Sequence, residues 1–360
     1  MPQPTSTVSS AEAERKRTLL LDAAAAEAVV ATSPATVRWL LCGGGRPVST
    51  SGPDADYTVV LTPERSVVLF PDIEASRVEA EEHFEELGFE PLAFPWYEGS
   101  ADAVQAVVDR AVPLRGAALD AVAAPLRRLL GPEEVLRYRA AGAEVAAAMV
   151  ETIGTLAPQA TELEIAGELA AHVSRRGFFP PVVLVAGDHR QPVHRHPLPT
   201  EMRLGRHALL AVTAERDGLH VSMTRLVSFG RAPTNLARLL AAAAKVDAGM
   251  LLASRPGATL GDVFGVAAGA YEAQGFPGEW RRHHQGGLTG YRGREVFATP
   301  GSEVVIPDVC AVAWNPSITG GAKSEDTALV GPDGVEVLTR TPELPELDVD
   351  GLARPAVVEV

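Results

Sequence analysis

The run HHQGGLTGYRGRE, residues 283–295, sets two adjacent imidazoles, His283 and His284, before four glycines, Tyr291, two arginines and Glu295. Imidazole exchanges protons near neutral pH and also ligates metal ions. The guanidinium of Arg294 offers a planar fork that matches a carboxylate. Three other stretches concentrate similar chemistry. GDHRQPVHRHPLPT (187–200) carries His189, His194 and His196; ERDGLHVSMTRLVSFG (215–230) carries Ser222, Thr224 and Arg225; WNPSITGGAKSEDTALV (314–330) carries Asn315, Lys323 and Glu325. Each also has a plainer reading. Paired histidines serve as hydrogen-bonded structural groups, Arg294–Glu295 as a surface ion pair worth little, Asn315-Pro316 as a turn former, and Tyr291 as a core residue. A buried Glu325 requires a partner such as Lys323 or a histidine.

The elements that must position these residues fall into two groups. Up to about residue 125, helical and strand patterns alternate, as expected of a small α/β domain. AERKRTLLLDAAAAEAVVA reads as a helix, TVRWLLCGG and YTVVLTPERSVVLF as strands, SRVEAEEHFEELGF as a helix closed by Gly88, and ADAVQAVVDRAV as another helix. CGGGRP lacks the spacing of a phosphate loop. A long amphipathic helix with Pro132 near its start then opens a second unit. TELEIAGELAAHVSRRG follows with a capping-box start, Thr161 and Glu164, and a stop at Gly177. Strands in VVLVAG and HALLAVTAERDGLHVSMTRLVSFG turn at Asp217-Gly218, a hairpin signal. Two more helices and further hairpins complete an α+β pattern. The boundaries are residues 1–12 as a disordered start, 13–128 and 129–345 as two domains, and 346–360 as a loose tail.

The 360 residues, 46% hydrophobic and 22% charged, suffice for a large core without staples. Lys plus Arg (32) against Asp plus Glu (46) gives −14, which argues against a nucleic-acid binder. The two cysteines, Cys42 and Cys310, make no disulfide framework. No signal core or membrane span is legible, so a cytoplasmic protein is expected.

The order and character of the four reactive stretches resemble the pita-bread superfamily of creatinase, prolidase, aminopeptidase P and methionine aminopeptidase. The resemblance covers nearly the whole chain. It implies a C-terminal pita-bread domain behind a smaller creatinase-type α/β domain. In metal-dependent members a D-x10-D strand pair, a histidine and two glutamates hold two ions. Here those aspartate positions fall on Ala211 and Ser222 (222 − 11 = 211), and the first glutamate position on Asn315. Only Glu325 survives, with His283 or His284. Hard divalent ions need several carboxylate oxygens, so no metal pair and no cofactor are expected.

Creatinase belongs to this superfamily and cleaves a C–N bond without metal; ectoine hydrolases are similar in this respect. By resemblance the creatinase histidine falls on His194, eleven residues before Gly205, and the carboxylate-gripping arginine of its YGRE element falls on Arg294 in YRGRE. Creatinase's two catalytic glutamates would fall on Thr224 and Asn315, so creatine is not the expected substrate. The expected catalytic set is His194, His283, His284 and Glu325. Arg294, Asn315, Thr224 and Tyr291 are the expected substrate contacts. The expected activity is metal-independent hydrolysis or lysis of a C–N bond in a small carboxylate-bearing metabolite, by a homodimer with neither nucleic-acid nor membrane partners. A non-catalytic pita-bread binding module and an Xaa-Pro metallopeptidase with unorthodox ligands remain the alternatives. A raised pKa on Glu325 and histidines facing each other in a cleft would favour the enzyme.

Overall fold

The computed structural model describes residues 9–50 and 52–360. The chain divides into two compact units. The first runs to Glu133 and takes in Asp217–Leu219; the second comprises Glu134–Arg216 and His220–Val360.

The first unit is built on a mixed five-stranded sheet in the order Glu90–Phe94, Ser66–Pro71, Thr58–Leu61, Val29–Ala31 and Leu114–Arg115. Val30, Val60, Val67 and Leu69 pack against Val104, Val107 and Val108 of the helix Ala101–Val108. Three expectations are corrected here. The first helix spans Ser10–Ala24, and the Ser9 hydroxyl accepts from the amide of Glu12, so 9–12 are ordered by a side-chain cap. Residues 1–8 of the expected disordered start lie outside the described residues. TVRWLLCGG is no strand: Pro34–Leu40 is helical, with Ser33 as its cap and Pro34 in its first turn. That cap outweighs the β-branched composition, which had pointed to a strand. SRVEAEEHFEELGF is not one helix but short helical turns, interrupted where His83 adopts φ 49 and closed by Gly88 at φ 78.

The second unit carries the reactive stretches. Helices Pro132–Gly154, Glu162–Ser174, Thr234–Ala253 and Leu260–Ala273 accompany two sheets. The capping box at Thr161 and Glu164 forms as its spacing predicts, a contribution of about 1 kcal/mol. One sheet has the strand order Val358–Glu359, Leu219–Ser228, His207–Arg216, Phe179–Gly187; the other Val296–Phe297, Gly286–Thr289, Cys310–Trp314, Asp326–Gly331, Gly334–Val337. Asp217 and Gly218 both have positive φ, 53 and 78, as a tight hairpin turn requires. An isolated bridge, Thr224 to Glu325, ties a strand of the first sheet to the entry of a strand in the second.

The expected loose tail is also corrected. Glu346–Val349 and Leu352–Pro355 form a hairpin around Asp350 and Gly351, and Val358–Glu359 pairs in parallel with Val227 and Ser228. Arg354, fully buried, pairs with Asp247 at 2.5 Å and with Asp326 at 2.7 Å. The Asp-Gly turn signal inside the stretch decided the local structure.

Candidate active site

Glu325 is buried in the second unit. It precedes the strand Asp326–Gly331, and its backbone carbonyl accepts from the Thr224 amide at 3.0 Å. That bridge fixes the carboxylate among three donors. The Thr224 hydroxyl donates to Oε2 at 2.6 Å, Lys323 Nζ approaches Oε2 at 2.8 Å, and Arg294 Nη2 donates to Oε1 at 3.1 Å. Lys323 comes from the short strand Ala322–Lys323, which Ser317–Ile318 holds by pairing. Arg294 is anchored by its own neighbour, with Nη1 donating to the Gly293 carbonyl at 2.6 Å and to Ser222 Oγ at 3.3 Å.

The histidines arrive from two loops. His283 ends the turn Glu279–Arg282, and His284 leads into Gly286–Thr289. Gln285 steadies the corner: its Nε2 donates to the His283 carbonyl at 2.6 Å, and its Oε1 accepts from Tyr271 at 2.8 Å. Asn315 lies at the end of Cys310–Trp314 with its amide on the Gln285 carbonyl at 3.0 Å, so this asparagine and His284 are neighbours by register. The facing loop is held by Arg195, which donates to Ser317 Oγ at 2.9 Å and Thr319 Oγ1 at 2.8 Å and pairs with Glu279. From that loop His196 reaches His283, Nε2 to Nε2 at 3.0 Å. The rings of His283 and His284 stack at 4.4 Å, and Phe297 meets His284 edge-on at 4.8 Å.

These groups border a cavity of about 310 Å³, lined among others by His196, Ala211, His284, Arg294, Asn315, Lys323 and Glu325. Among the buried side-chain atoms that lack a hydrogen-bond partner are Nδ1 of both His283 and His284, Nε of Arg294 and Oδ1 of Asn315. Buried polar atoms are normally satisfied, so this set marks where a ligand would complete the bonding.

Charge sorts the roles. Burial pushes the Glu325 carboxyl up, but the Lys323 ammonium and Arg294 guanidinium outweigh it and hold the group down at about 2. The raised value that would have favoured catalysis by this carboxyl is therefore corrected: Glu325 is a fixed anion between two cations. Burial, joined by the Lys323 charge, brings His283 down to about 2. Burial, joined by the Arg294 charge, brings His284 down to about 4. His196 is lowered too, again mainly by burial. His283 and His284 are therefore neutral at pH 7, His196 is shifted the same way, and one of the two facing Nε2 atoms of His196 and His283 donates to the other.

The predicted residues are not all brought together. His283, His284, Glu325, Arg294 and Asn315 are; so is the expected facing of histidines. His194, exposed, instead lines a second depression of about 350 Å³ with Gln191, Arg282 and Thr319. His196 takes the place expected of it. Counting residues to Gly205 had selected His194, and that count does not see how Arg195 anchors the loop. Tyr291 is buried and donates to Glu134 at 2.8 Å, away from the cavity. Thr224 is buried and touches Glu325, so it positions rather than contacts. Arg294 lines the cavity but is already engaged by Glu325, so one arm of its fork is taken before any substrate arrives. Gly286 and Gly287 serve close strand packing: a methyl there would strike the carbonyls of Ala313 and Val296. Only Gly293 of that run borders the cavity.

The donor set tests the metal pair. Ala211 offers a methyl, Ser222 a hydroxyl already shared with Thr213 at 2.9 Å, and Asn315 an amide. Glu325 is the sole carboxylate of the set, and Arg294 bridges it to Ser222. Two hard divalent ions need more anionic oxygen than this and no competing cation. The residues present do not fit them.

Comparison with known proteins places the chain. Residues 137–332 match metallopeptidase family M24. A dipeptidase, PepE, from Mycobacterium ulcerans superposes with a TM-score of 0.76 at 18% identity, over 98% of this chain and 99% of that one. Prolidase from Pyrococcus horikoshii OT3 gives 0.73 at 17% identity, over 91% and 98%. The N-terminal domain of the FACT subunit SPT16 from chickpea, Cicer arietinum, gives 0.67 at 12%, over 92% and 97%. No curated protein matches the chain in sequence. The chain belongs to the M24 family and has its pita-bread fold, an α+β unit preceded by a smaller α/β unit. Its fold is that of a hydrolase family.

Proposed function

We propose that this protein hydrolyses a C–N bond in a small carboxylate-bearing metabolite without the paired ions of its family, in the manner of creatinase or the ectoine hydrolases. The observation that carries the reading is the environment of Glu325. Lys323 and Arg294 bring two positive charges against its one negative charge, so the cavity retains one net positive charge for an anionic substrate. Asn315 Oδ1, buried and unpartnered, suits the N–H of an amide or urea. His196, the most exposed of the three imidazoles and a lining residue of the cavity, accepts a proton from attacking water, and the leaving nitrogen takes it up. The open cavity, rather than a filled cleft, favours an enzyme over a binding module. Homodimer formation accompanies this reading by resemblance, and a cytoplasmic location by the cysteine usage. A second reading, a peptidase with unorthodox ligands, draws support from the histidine cluster alone.

The test is a hydrolysis screen of small carboxylate amides and ureas beside Xaa-Pro dipeptides, before and after chelation, with metal content measured by mass spectrometry. Turnover of a carboxylate amide or urea that survives chelation supports the proposal. Turnover of dipeptides alone, dependent on added manganese or cobalt, overturns it in favour of the peptidase.

A further inference from the structure

We propose that His196, His283 and His284 form a site for a single zinc-class divalent ion, separate from the degenerate carboxylate positions. One nitrogen from each of the three can be chosen such that all lie within 4.8 Å of one another. The His196 and His283 Nε2 atoms, 3.0 Å apart, approach the roughly 3.3 Å that two nitrogens keep on one tetrahedral ion with bonds near 2.0–2.1 Å. A second, independent feature points to a ligand: Nδ1 of His284 is buried without a hydrogen-bond partner, and a neutral imidazole nitrogen is the form that binds metal. Imidazole donors select the borderline ions, zinc, copper, nickel and cobalt, over magnesium or calcium.

The neighbouring cations do not fill this position. Lys323 and Arg294 repel an ion, but each is paired with Glu325, whose charge opposes theirs. His196 stands on an exposed loop and has room to adjust. The cavity leaves the remaining coordination position to water or a small ligand. An ion here occupies the His196 lone pair that proton transfer would use. The loaded protein and the proton-transferring protein are therefore alternative states of the same three side chains. The site itself does not depend on which reaction the protein performs.

The experiment is zinc titration of the full chain by calorimetry at neutral pH, with cobalt as a spectroscopic probe. One ion per chain bound in the micromolar range or tighter, with the visible bands of tetrahedral cobalt, is expected. His196→Ala, at an exposed position that leaves folding undisturbed, weakens binding by at least the roughly hundredfold that loss of a mere outer partner can cost. His283→Ala and His284→Ala do the same, while His189→Ala, outside the cluster, binds as the parent does. Absence of micromolar zinc binding by the parent, or equal binding by His196→Ala and the parent, overturns the site. Neither outcome touches the hydrolysis screen, so the two proposals fail separately.

Discussion

Glu325 holds two buried cations at once, and removing its charge strands both. Breaking a buried pair from one side costs about 3–5 kcal/mol. Glu325→Gln is accordingly expected to lower unfolding free energy by that order in a urea titration; a change below about 1 kcal/mol would show the pairing to be incidental. The histidines make a second prediction with a definite sign. His283 and His284 titrate lower in the folded protein than the ordinary value of about 6.5. The unfolded chain then binds more protons as pH falls, so their contribution is present above about pH 6.5 and declines from there, through about pH 4 for His284 and on to about pH 2 for His283. Melting temperature is expected to drop across that window, and His284→Asn to flatten the drop. Equal slopes in parent and variant would contradict the burial of that ring. At this scale the sequence showed which residue types cluster, and that Glu325 required a partner such as Lys323. It did not show that Arg294 would be taken by Glu325, because that depends on the Thr224 bridge between distant segments.

Strands carry most of the positioning, and glycine lets them close. A side chain at Gly287 would run into the Val296 carbonyl within its own pairing, and one at Gly286 into the Ala313 carbonyl. Gly287→Ala is expected to cost about 2 kcal/mol or more by forcing two paired strands apart; chemical denaturation measures it. A loss under about 0.5 kcal/mol would mean the strands give way freely. The C-terminal hairpin is fixed through Arg354, which sits between Asp247 and Asp326. Arg354→Met leaves both carboxylates buried with less compensation, although Arg225 still pairs with Asp326 at 3.0 Å. A fall of about 3–5 kcal/mol is expected, read as a lowered denaturation midpoint. Periodicity and caps predicted the long helices and the Asp217-Gly218 turn well. They failed for Pro34–Leu40, where seven residues give too short a window for a helical period to outweigh β-branched composition.

Across the molecule, two cysteines are both free and buried, and burial pushes the Cys310 thiol up to about 12. Thiolate is the reactive form. A thiol reagent is expected to label neither cysteine until denaturant is added, and reductant to leave the melting temperature unchanged. Labelling of the native protein would reveal an opening that reaches the core. Among the described residues no helix is long and apolar enough to cross a membrane. The two-unit division was legible in the change from alternating helix and strand to long helices with hairpins. The role of Val358 and Glu359 was not, because their strand partners lie more than a hundred positions earlier and no local pattern reports such pairing.

The C-terminal end of the strand that carries Ser222 and Thr224, at Val227 and Ser228, gains its outer strand neighbour from Val358 and Glu359. During synthesis it emerges long before them, and its unpaired amides and carbonyls form an open edge throughout that interval. Such an edge invites pairing with another nascent chain. A messenger that slows translation between these segments would thus raise the fraction lost to inclusion bodies, and supplying residues 346–360 as a separate peptide would rescue a chain stopped before them.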